Sequence, residues 1–356
     1  MKINYTMFGV GLTGGTRVIL EIANGLVERG HEVSITTLGN PSDIKWFPLK
    51  ARIKFIPLSF WERAIRKGIK EIFQIYSYPE REIAQLTRAI PECDINVATF
   101  CLTAFSVFRS ERGAPFYHMQ HYEPLFFDDP YLKRLAEESY YLPLNKIANS
   151  SWLKKKLEEV HCIYNATSIF PAIDHKVFYP RPRKMASEKK RIISLVKATP
   201  WKGFSDVVET MRIVLKERSD VELFCFGTSF PRNNYSDIPI RIFHGLYDEN
   251  LAQLYCESDV FLSASWYESF PLPPLEAMAC GIPVVTTGYG TEDYCHGGFN
   301  CLVVSARKPR EMANAILEIL ENSDLSDKLR GNGLKTAANF SWSRTIDSVE
   351  EIFLNL

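Results

Sequence analysis

The sequence has no excess of charge of either sign and no paired cysteines. Its 356 residues contain 42 lysines and arginines against 42 aspartates and glutamates. A neutral chain gives no reason to expect nucleic-acid binding. No Cys-x-x-Cys pair indicates zinc or redox chemistry, so we expect buried thiols in a reducing compartment. The eight cysteines are Cys93, Cys101, Cys162, Cys225, Cys256, Cys280, Cys295 and Cys301.

Long apolar runs and repeats are absent as well. Residues 1–4 lead straight into a short apolar strand. We therefore expect neither a signal peptide nor a membrane span, and a cytoplasmic protein. The 46% apolar content suffices for two ordinary domains, each with its own core.

The most informative stretch is 263–290. It follows an apolar strand over 260–262, passes through a loop holding Glu268, and enters a helix at Pro273-Pro274. Proline suits a first helical turn, and Gly281 suits the helix end before a second strand. The pattern predicts a βαβ unit, and ligands bind at the carboxyl ends of strands in open parallel sheets.

Two carboxylates, Glu268 and Glu276, lie eight positions apart in this stretch. We expect Glu276 in the first helical turn, so that both lie near the free N–H groups of the helix start. An anionic phosphate also binds well there. The alternative is that Glu276 only complements the helix dipole and Glu268 is a solvated loop residue.

The segment from Glu268 to Val285 has Glu, seven residues, Glu, and then Ala-Met-Ala-x-Gly-x-Pro-Val-Val. It resembles the retaining glycosyltransferases of family 4. The resemblance implies the GT-B fold, an α/β architecture of two doubly wound, Rossmann-like parallel-sheet domains facing across a cleft. It also implies that Glu268 bonds donor-sugar hydroxyls and Glu276 the ribose, with Phe270 and Leu272 in the donor-binding loop. Pro271 stands where the family often has glycine, and it cannot donate a backbone hydrogen bond.

A glycine-rich loop over 9–15 follows the first strand and contains Gly-x-Gly-x-x-Gly. A dinucleotide site would need an acidic residue at the end of the second strand, where Thr36 and Thr37 stand instead. A nicotinamide enzyme is therefore disfavoured. In the family a Gly-Gly pair at this place, matched by Gly14 and Gly15, faces the donor diphosphate, because a side chain would keep the backbone away. A tight strand-to-helix turn is the structural alternative.

Two lysines, Lys197 and Lys202, lie five apart in a loop after the strand predicted over 191–196. Such a pair can clamp a diphosphate and neutralise the charge that grows as the sugar departs. Two solvated lysines are the alternative. The family has arginine and Lys-Gly at this spacing, so Lys202 matches, while Lys197 replaces arginine and loses its bidentate fork.

Two histidines, His118 and His121, follow the strand that begins near 114. In the family a histidine just beyond this strand reaches the reacting sugar, and the spacing favours His121 over His118. The segment Gln-x-Tyr-Glu-Pro over 120–124 also resembles a subset of enzymes that assemble bacterial surface polysaccharides, some of them rhamnosyltransferases. Those carry aspartate where His121 stands.

The predicted domains are 1–180, completed by a C-terminal helix over 341–356, and a nucleotide-sugar domain over 191–340. The charged stretch 181–190 is the predicted linker. A helix predicted over 61–73 has a basic face, which suits either solvent or an anionic membrane. Glu292 and Asp293 follow the last strand of the informative stretch, where they either cap a helix or touch the donor.

The resemblance predicts retaining sugar transfer from a nucleoside-diphosphate sugar to an acceptor hydroxyl, in polysaccharide or glycoconjugate assembly. Without an Asp-x-Asp pair we expect no metal, and we expect no cofactor. The acceptor is a carbohydrate or lipid-linked, with peripheral contact at the inner membrane face an option. A nucleotide-sugar epimerase and a non-catalytic nucleotide-sugar-binding partner protein remain the alternatives.

Overall fold

The computed structural model describes residues 1–57, 79–184, 187–230 and 235–355. The chain forms two compact units, the first made of Met1–Pro171 with Trp342–Leu356 and the second of Ala172–Ser341. The helix predicted over 61–73 lies outside the described residues.

The segment predicted as a linker, 181–190, lies within the second unit. The Arg183 guanidinium donates to the Ser258 carbonyl at 2.8 Å, and the Lys184 amide donates to the Glu257 carboxylate at 2.5 Å. These bonds hold the start of the segment on the second unit. The chain passes between the units at Pro171–Ala172 instead, and returns at Ser341–Trp342.

The first unit is built on a seven-stranded parallel sheet with the order β3-β2-β1-β4-β5-β6-β7. Its strands are β1 (Lys2–Met7), β2 (Glu32–Leu38), β3 (Arg52–Ile56), β4 (Ile95–Ala98), β5 (Ala114–Met119), β6 (Asn145–Ala148) and β7 (Thr167–Ser168). The helices described in it are α1 (Gly14–Glu28), α2 (Pro79–Ala89), α3 (Cys101–Ser110), α4 (Pro130–Ser139), α5 (Ser151–His161) and the C-terminal α11 (Trp342–Leu354).

Helix α11 is fastened to α1. A Cβ atom on Gly25 would lie 2.0 Å from Ile346 Cδ1, so glycine is what lets the two helices approach. Beside this contact the Arg29 guanidinium pairs with Asp347 and Glu350, and His31 Nε2 lies 2.7 Å from Glu350. The last helix of the chain therefore completes the first unit.

The second unit has a six-stranded parallel sheet with the order β10-β9-β8-β11-β12-β13. Its strands are β8 (Lys190–Leu195), β9 (Val221–Gly227), β10 (Ile240–His244), β11 (Val260–Ser263), β12 (Val284–Thr287) and β13 (Leu302–Val304). Its described helices are α6 (Phe204–Glu217), α7 (Asp248–Cys256), α8 (Leu272–Ala279), α9 (Pro309–Glu321) and α10 (Ser323–Ala337).

The core of the second unit explains its strand sequences. All seven residues of β9 are buried, as expected for a central strand covered by helices on both faces. Val207, Met211 and Val214 of α6 recur at helical spacing and pack into the same apolar cluster as Val285 of β12. Because all strands are parallel, the loops that follow β8, β11 and β12 emerge at one edge, the carboxyl edge of this sheet.

The cysteines depart from the expectation of buried thiols at two positions. Cys162 is exposed and Cys93 is half-buried, whereas the other six are buried. Cys162 follows the last residue of α5 with a φ of 55°, a left-handed helix end that turns its side chain into solvent.

Candidate functional site

Lys202 lies at the carboxyl edge of the second sheet, where Pro200–Lys202 forms one 3₁₀ turn after β8. The next residue, Gly203, has a φ of +70°, and a Cβ atom there would lie 2.0 Å from the Ala264 carbonyl oxygen. Only glycine combines this conformation with this approach. The Lys202 loop is thereby pressed against the loop that follows β11.

Further contacts lock the two loops together. The Trp266 amide donates to the Trp201 carbonyl at 2.8 Å, and the rings of Trp201 and Tyr267 stack with their centroids 5.7 Å apart. The Trp266 indole N–H donates to Asp206 at 2.7 Å. Trp201 directly precedes Lys202, and Tyr267 directly precedes Glu268. The stacked rings therefore hold the backbones of these two candidate site residues near each other.

Lys202 and Glu268 form an ion pair at this edge, through Nζ and Oε1. Their side chains are only 17% and 10% exposed, so water screens the pair weakly. The loop of Glu268 is fixed from its other side by Gly290. A Cβ atom on Gly290, whose φ is +76°, would lie 2.3 Å from the Glu268 carbonyl oxygen.

Lys197 belongs to the same group of charges. Burial lowers the pKa of Lys197, repulsion by Lys202 lowers it further, and attraction by Glu268 raises it. The structure therefore brings together three of the predicted site residues, two lysines and one glutamate, on loops of one unit.

Glu276 is not in the first turn of its helix, which corrects the expectation from the sequence. Helix α8 begins at Leu272 after Pro271 at the N-cap, so Glu276 is its fifth residue. Pro273 and Pro274 fill the first turn and have no N–H, so Leu272 alone supplies one there. The helix start is thus a poorer anion site than expected. Glu276 is nevertheless buried, and its Oε2 accepts a bond of 2.9 Å from the Tyr255 hydroxyl.

The side chains of Phe270 and Leu272 are buried. The Phe270 ring packs against Tyr294 at 5.1 Å and Phe340 at 5.7 Å, while the Tyr294 hydroxyl donates to the Pro271 carbonyl at 2.5 Å. These contacts anchor the loop between the two glutamates. Donor binding by Phe270 and Leu272 remains a prediction.

Glu292 and Asp293 lie in a turn that follows β12. The amides of Tyr294 and Cys295 both donate to the Thr291 carbonyl, at 3.0 and 2.7 Å, and no helix begins in this described segment. The option of a helix cap is therefore wrong. Glu292 is exposed and Asp293 half-buried.

In the first unit Gly14 and Gly15 are the first residues of α1, capped by the Thr13 side chain, which accepts from the Thr16 amide at 3.2 Å. A Cβ atom on Gly14 would meet nothing within 4 Å, and one on Gly15 would make ordinary contact with Gln120 at 3.5 Å. Neither glycine has a positive φ. The fold of this unit therefore does not require glycine at either position.

The two histidines differ in their surroundings. His118 lies within β5 and not after it, which corrects the expectation from the sequence. It is buried, and burial lowers its pKa to about 4; neither ring nitrogen has a partner among the described residues. His121 follows β5, with Nδ1 3.2 Å from the Tyr122 carbonyl and its ring 4.7 Å from that of Phe126. Which of them acts on substrate remains a prediction.

No role was predicted from the sequence for two polar residues, Tyr255 and Glu123. Tyr255 reaches Glu276 from α7, and only the three-dimensional packing of α7 on α8 reveals it. Glu123 follows His121, and its buried carboxylate accepts from the Cys101 amide at the start of α3 at 2.5 Å. Burial raises the pKa of Glu123 to about 7. Its place in a Gln-x-Tyr-Glu-Pro segment was the one available hint.

Solved structures of low sequence identity share this architecture throughout. Sucrose-phosphate synthase of Thermosynechococcus elongatus matches with a TM-score of 0.80 at 17% identity, over 99% of this chain and 98% of its own. HepE of Anabaena, solved in complex with UDP and glucose, matches with a TM-score of 0.80 at 17% identity over the whole of both chains. The chain thus has the GT-B fold of two parallel-sheet units, as the sequence predicted.

Residues 189–322 match the family model described as glycosyl transferases group 1. The second unit therefore contains a group 1 glycosyl transferase domain, and the resemblance drawn from the segment between Glu268 and Val285 is confirmed. The pair Lys202 and Glu268, with Lys197 and Glu276, lies inside the matched residues.

Curated relatives agree with this assignment. An uncharacterized glycosyltransferase of Haemophilus influenzae is 21% identical over 92% of this chain and 94% of its own length. The O-antigen biosynthesis protein RfbC of Myxococcus xanthus is 27% identical over 75% of this chain, which spans only 21% of RfbC. A D-inositol 3-phosphate glycosyltransferase of Geodermatophilus obscurus is 36% identical over 31% of this chain and 24% of its own length.

The described residues hold neither a membrane-spanning helix nor a cluster of metal ligands. No helix among them combines the length and apolar character that crossing a bilayer requires. Within the same residues, no three or more His, Cys, Asp or Glu side chains are grouped to hold a metal ion.

Proposed function

We propose that this chain transfers a sugar from a nucleoside-diphosphate sugar to an acceptor hydroxyl, with retention at the anomeric carbon. The proposal rests on one observation. Lys202 and Glu268 form an ion pair at one sheet edge, and Lys197 interacts electrostatically with both, inside a group 1 glycosyl transferase domain. HepE, of the same fold, binds UDP-glucose, which supports a nucleotide-sugar donor here. RfbC acts in O-antigen biosynthesis, which supports a role in polysaccharide or glycoconjugate assembly.

The chemistry follows from charge. As the bond to the sugar breaks, negative charge gathers on the departing diphosphate, and a positively charged oxocarbenium-like centre forms on the sugar. Lys197 and Lys202 stabilise the diphosphate in a weakly hydrated site, where charge interactions are stronger than in water. Glu268 accepts bonds from sugar hydroxyls, and Glu276, held by Tyr255, accepts from the ribose. The lysines supply the positive charge, so transfer by this route requires no metal.

In the first unit, two residues are proposed to bind the donor because the packing of that unit does not explain why they are glycine. Gly14 and Gly15 are free of the steric and backbone demands that usually select glycine, and close approach of a diphosphate to the start of α1 supplies a reason. His121 is proposed to orient substrate hydroxyls near the reacting carbon.

The test is turnover by single variants with a donor chosen by screening nucleotide sugars for thermal stabilisation. Lys202→Ala and Glu276→Ala should each lower kcat/KM by at least about 100-fold while the protein stays folded. Lys216→Ala is the matched control, since this exposed lysine lies in the last turn of α6, roughly 20 Å of helix away from Lys202. Its activity should stay within twofold of the parent.

Activity of Lys202→Ala or Glu276→Ala within a few-fold of the parent would refute the assignment. The products separate the remaining classes of protein. Slow release of nucleotide from one donor supports a transferase. Interconversion of sugar isomers would identify an epimerase, and tight binding without reaction would identify a nucleotide-sugar-binding partner protein.

A further inference from the structure

The ion pair of Lys202 and Glu268 joins two groups that the proposed function assigns to different parts of one donor. In the proposed function Lys202 binds the diphosphate and Glu268 binds the sugar. In the structure, however, Lys202 Nζ contacts Glu268 Oε1. Any phosphate oxygen drawn to this ammonium group must therefore share it with a carboxylate. Because both side chains are largely withdrawn from water, solvent screens this competition only weakly.

The two loops that carry the pair cannot simply separate. Gly203 fixes the lysine loop against Ala264, and Gly290 fixes the backbone of Glu268, each by an approach that a Cβ atom would forbid. The stacked rings of Trp201 and Tyr267 join the same two loops one residue earlier. The carboxylate thus stays within reach of the ammonium group, whatever else binds there.

The diphosphate itself supplies the contrast. In a nucleotide sugar each phosphate is esterified and carries one negative charge, two in all. In a free nucleoside diphosphate the terminal phosphate has a second ionisation with a pKa of about 6, so it adds nearly one more charge at neutral pH. Two lysines alone would hold the free nucleotide more tightly than the intact donor. A site with only cations would therefore retain its product.

Glu268 reverses this preference. With the intact donor, sugar hydroxyls donate to the carboxylate, and Lys202 can turn to the diphosphate. With the free nucleotide no sugar hydroxyl binds Glu268, which repels the additional phosphate charge and competes for Lys202. Lys197 attracts both ligands, so the opposing preference for the intact donor has to come from Glu268.

We infer that Glu268 is an internal competitor for Lys202, which makes the site prefer the intact donor and release the nucleoside diphosphate after transfer. The inference rests on the proposed function and adds a selection step to it. It assigns to one carboxylate a binding role toward the sugar and an opposing role toward the product.

The experiment is calorimetric titration with UDP, GDP, ADP and dTDP and with their glucose conjugates, using the nucleotide that binds the parent protein most tightly. Glu268→Gln keeps the size of the side chain and removes its charge. It should bind the free nucleoside diphosphate about tenfold more tightly than the parent, a change of about 1.4 kcal/mol. The preference for the glucose conjugate over the free nucleotide should fall by a similar factor.

A double-variant cycle separates competition from a general change of charge. In a Lys202→Met background the same Glu268→Gln substitution should tighten nucleotide binding by only about threefold or less, because the contested ammonium group is gone and only the repulsion of the phosphate charge remains. Circular dichroism checks that each variant is folded, and Glu268→Ala serves as a second variant with the same expected direction.

Three outcomes are distinguishable. Unchanged or weaker nucleotide binding by Glu268→Gln and Glu268→Ala overturns the inference while leaving the transferase proposal intact. Tightening of the same size with Lys202→Met also overturns it, since net charge alone would then explain the effect. Absence of binding by every nucleotide and conjugate to the parent protein contradicts the proposed function itself.

Discussion

The carboxyl edges of the two sheets use glycine in opposite ways. In the second unit Gly203 and Gly290 have positive φ values, and a Cβ atom on either would collide with backbone atoms of the neighbouring loop. In the first unit Gly14 and Gly15 have neither property. Glycine in the second unit thus serves the protein's own packing, whereas in the first unit packing does not account for it.

The two edges also differ in the partners of their buried carboxylates. In the second unit the Glu268 carboxylate faces the Lys202 ammonium group. In the first unit the Glu123 carboxyl is bonded to the Cys101 amide, and no cation contributes to the shift of its pKa. The buried carboxylate of the second edge is therefore compensated by a cation, whereas that of the first edge is compensated by hydrogen bonds alone.

The sharpest way to break this comparison is to add one methyl group at each edge. In Gly290→Ala the new Cβ would lie 2.3 Å from the Glu268 carbonyl oxygen at a φ of +76°. Left-handed backbone costs alanine about 1–2 kcal/mol, and overpacking adds about 1–3 kcal/mol. We expect the free energy of unfolding of the second unit to fall by about 3 kcal/mol, measured by hydrogen exchange in that unit.

The matched substitution is Gly14→Ala, at the first residue of α1, where a Cβ atom meets nothing within 4 Å. It should change the free energy of unfolding of the first unit by less than about 1 kcal/mol, and toward greater stability, because alanine favours a helix. Equal destabilisation by both substitutions would show that glycine is structural at both edges.

A smaller effect should appear in the pH dependence of the first unit. The folded pKa of Glu123, about 7, exceeds the ordinary value of 4.5 because burial disfavours the carboxylate. Such a group stabilises the fold fully below pH 4.5, and this contribution is lost as the pH rises through 7. The free energy of unfolding of the parent, measured by urea denaturation, should fall by about 2–3 kcal/mol over this interval relative to that of Glu123→Gln.

The difference between parent and variant isolates Glu123 from His118. His118 has a lowered pKa of about 4, so its own contribution changes in the opposite direction, being lost as the pH falls below 6.5. Both proteins retain His118, and its effect cancels in the comparison. Parallel pH profiles for the two proteins would contradict the assignment of a raised pKa to Glu123.

The sequence predicted the fold class because its signals are local and regular. Strands such as β9 are apolar along their whole length, and Pro273 and Gly281 mark the ends of α8 within one or two residues. The group formed by Lys202 and Glu268 could be placed at one edge by topology, since parallel strands deliver their loops to the same side. Its members are 66 residues apart, so no local pattern fixes their separation.

What the sequence could not supply depends on exact helix starts and on long-range packing. Glu276 was expected in the first turn because the proline pair suggested the helix start, but α8 begins at Leu272. The partner of Glu276, Tyr255, lies 21 residues away on another helix. The exposure of Cys162 follows from a left-handed helix end, which no cysteine pattern indicates.

The smallest effect concerns the support of Glu276. Tyr255→Phe removes the hydroxyl that donates to Glu276 Oε2 at 2.9 Å and keeps the buried ring that packs against Phe226 and Phe261. Because the buried carboxylate then loses one hydrogen-bond donor, we expect the free energy of unfolding of the second unit to fall by about 1 kcal/mol.

The same change should weaken nucleotide binding about threefold to tenfold if Glu276 holds the ribose, because the carboxylate loses its fixed orientation. Titration with the nucleotide that binds the parent most tightly measures this loss. The control is Tyr267→Phe, which keeps the ring stacked on Trp201 and removes the hydroxyl of the residue that precedes the other glutamate, Glu268. An equal loss in both variants would mean that Tyr255 does not act through Glu276. A loss confined to Tyr255→Phe would extend the contrast between the edges, since it would show that the second unit's site is held in place by bonds reaching back into its own core.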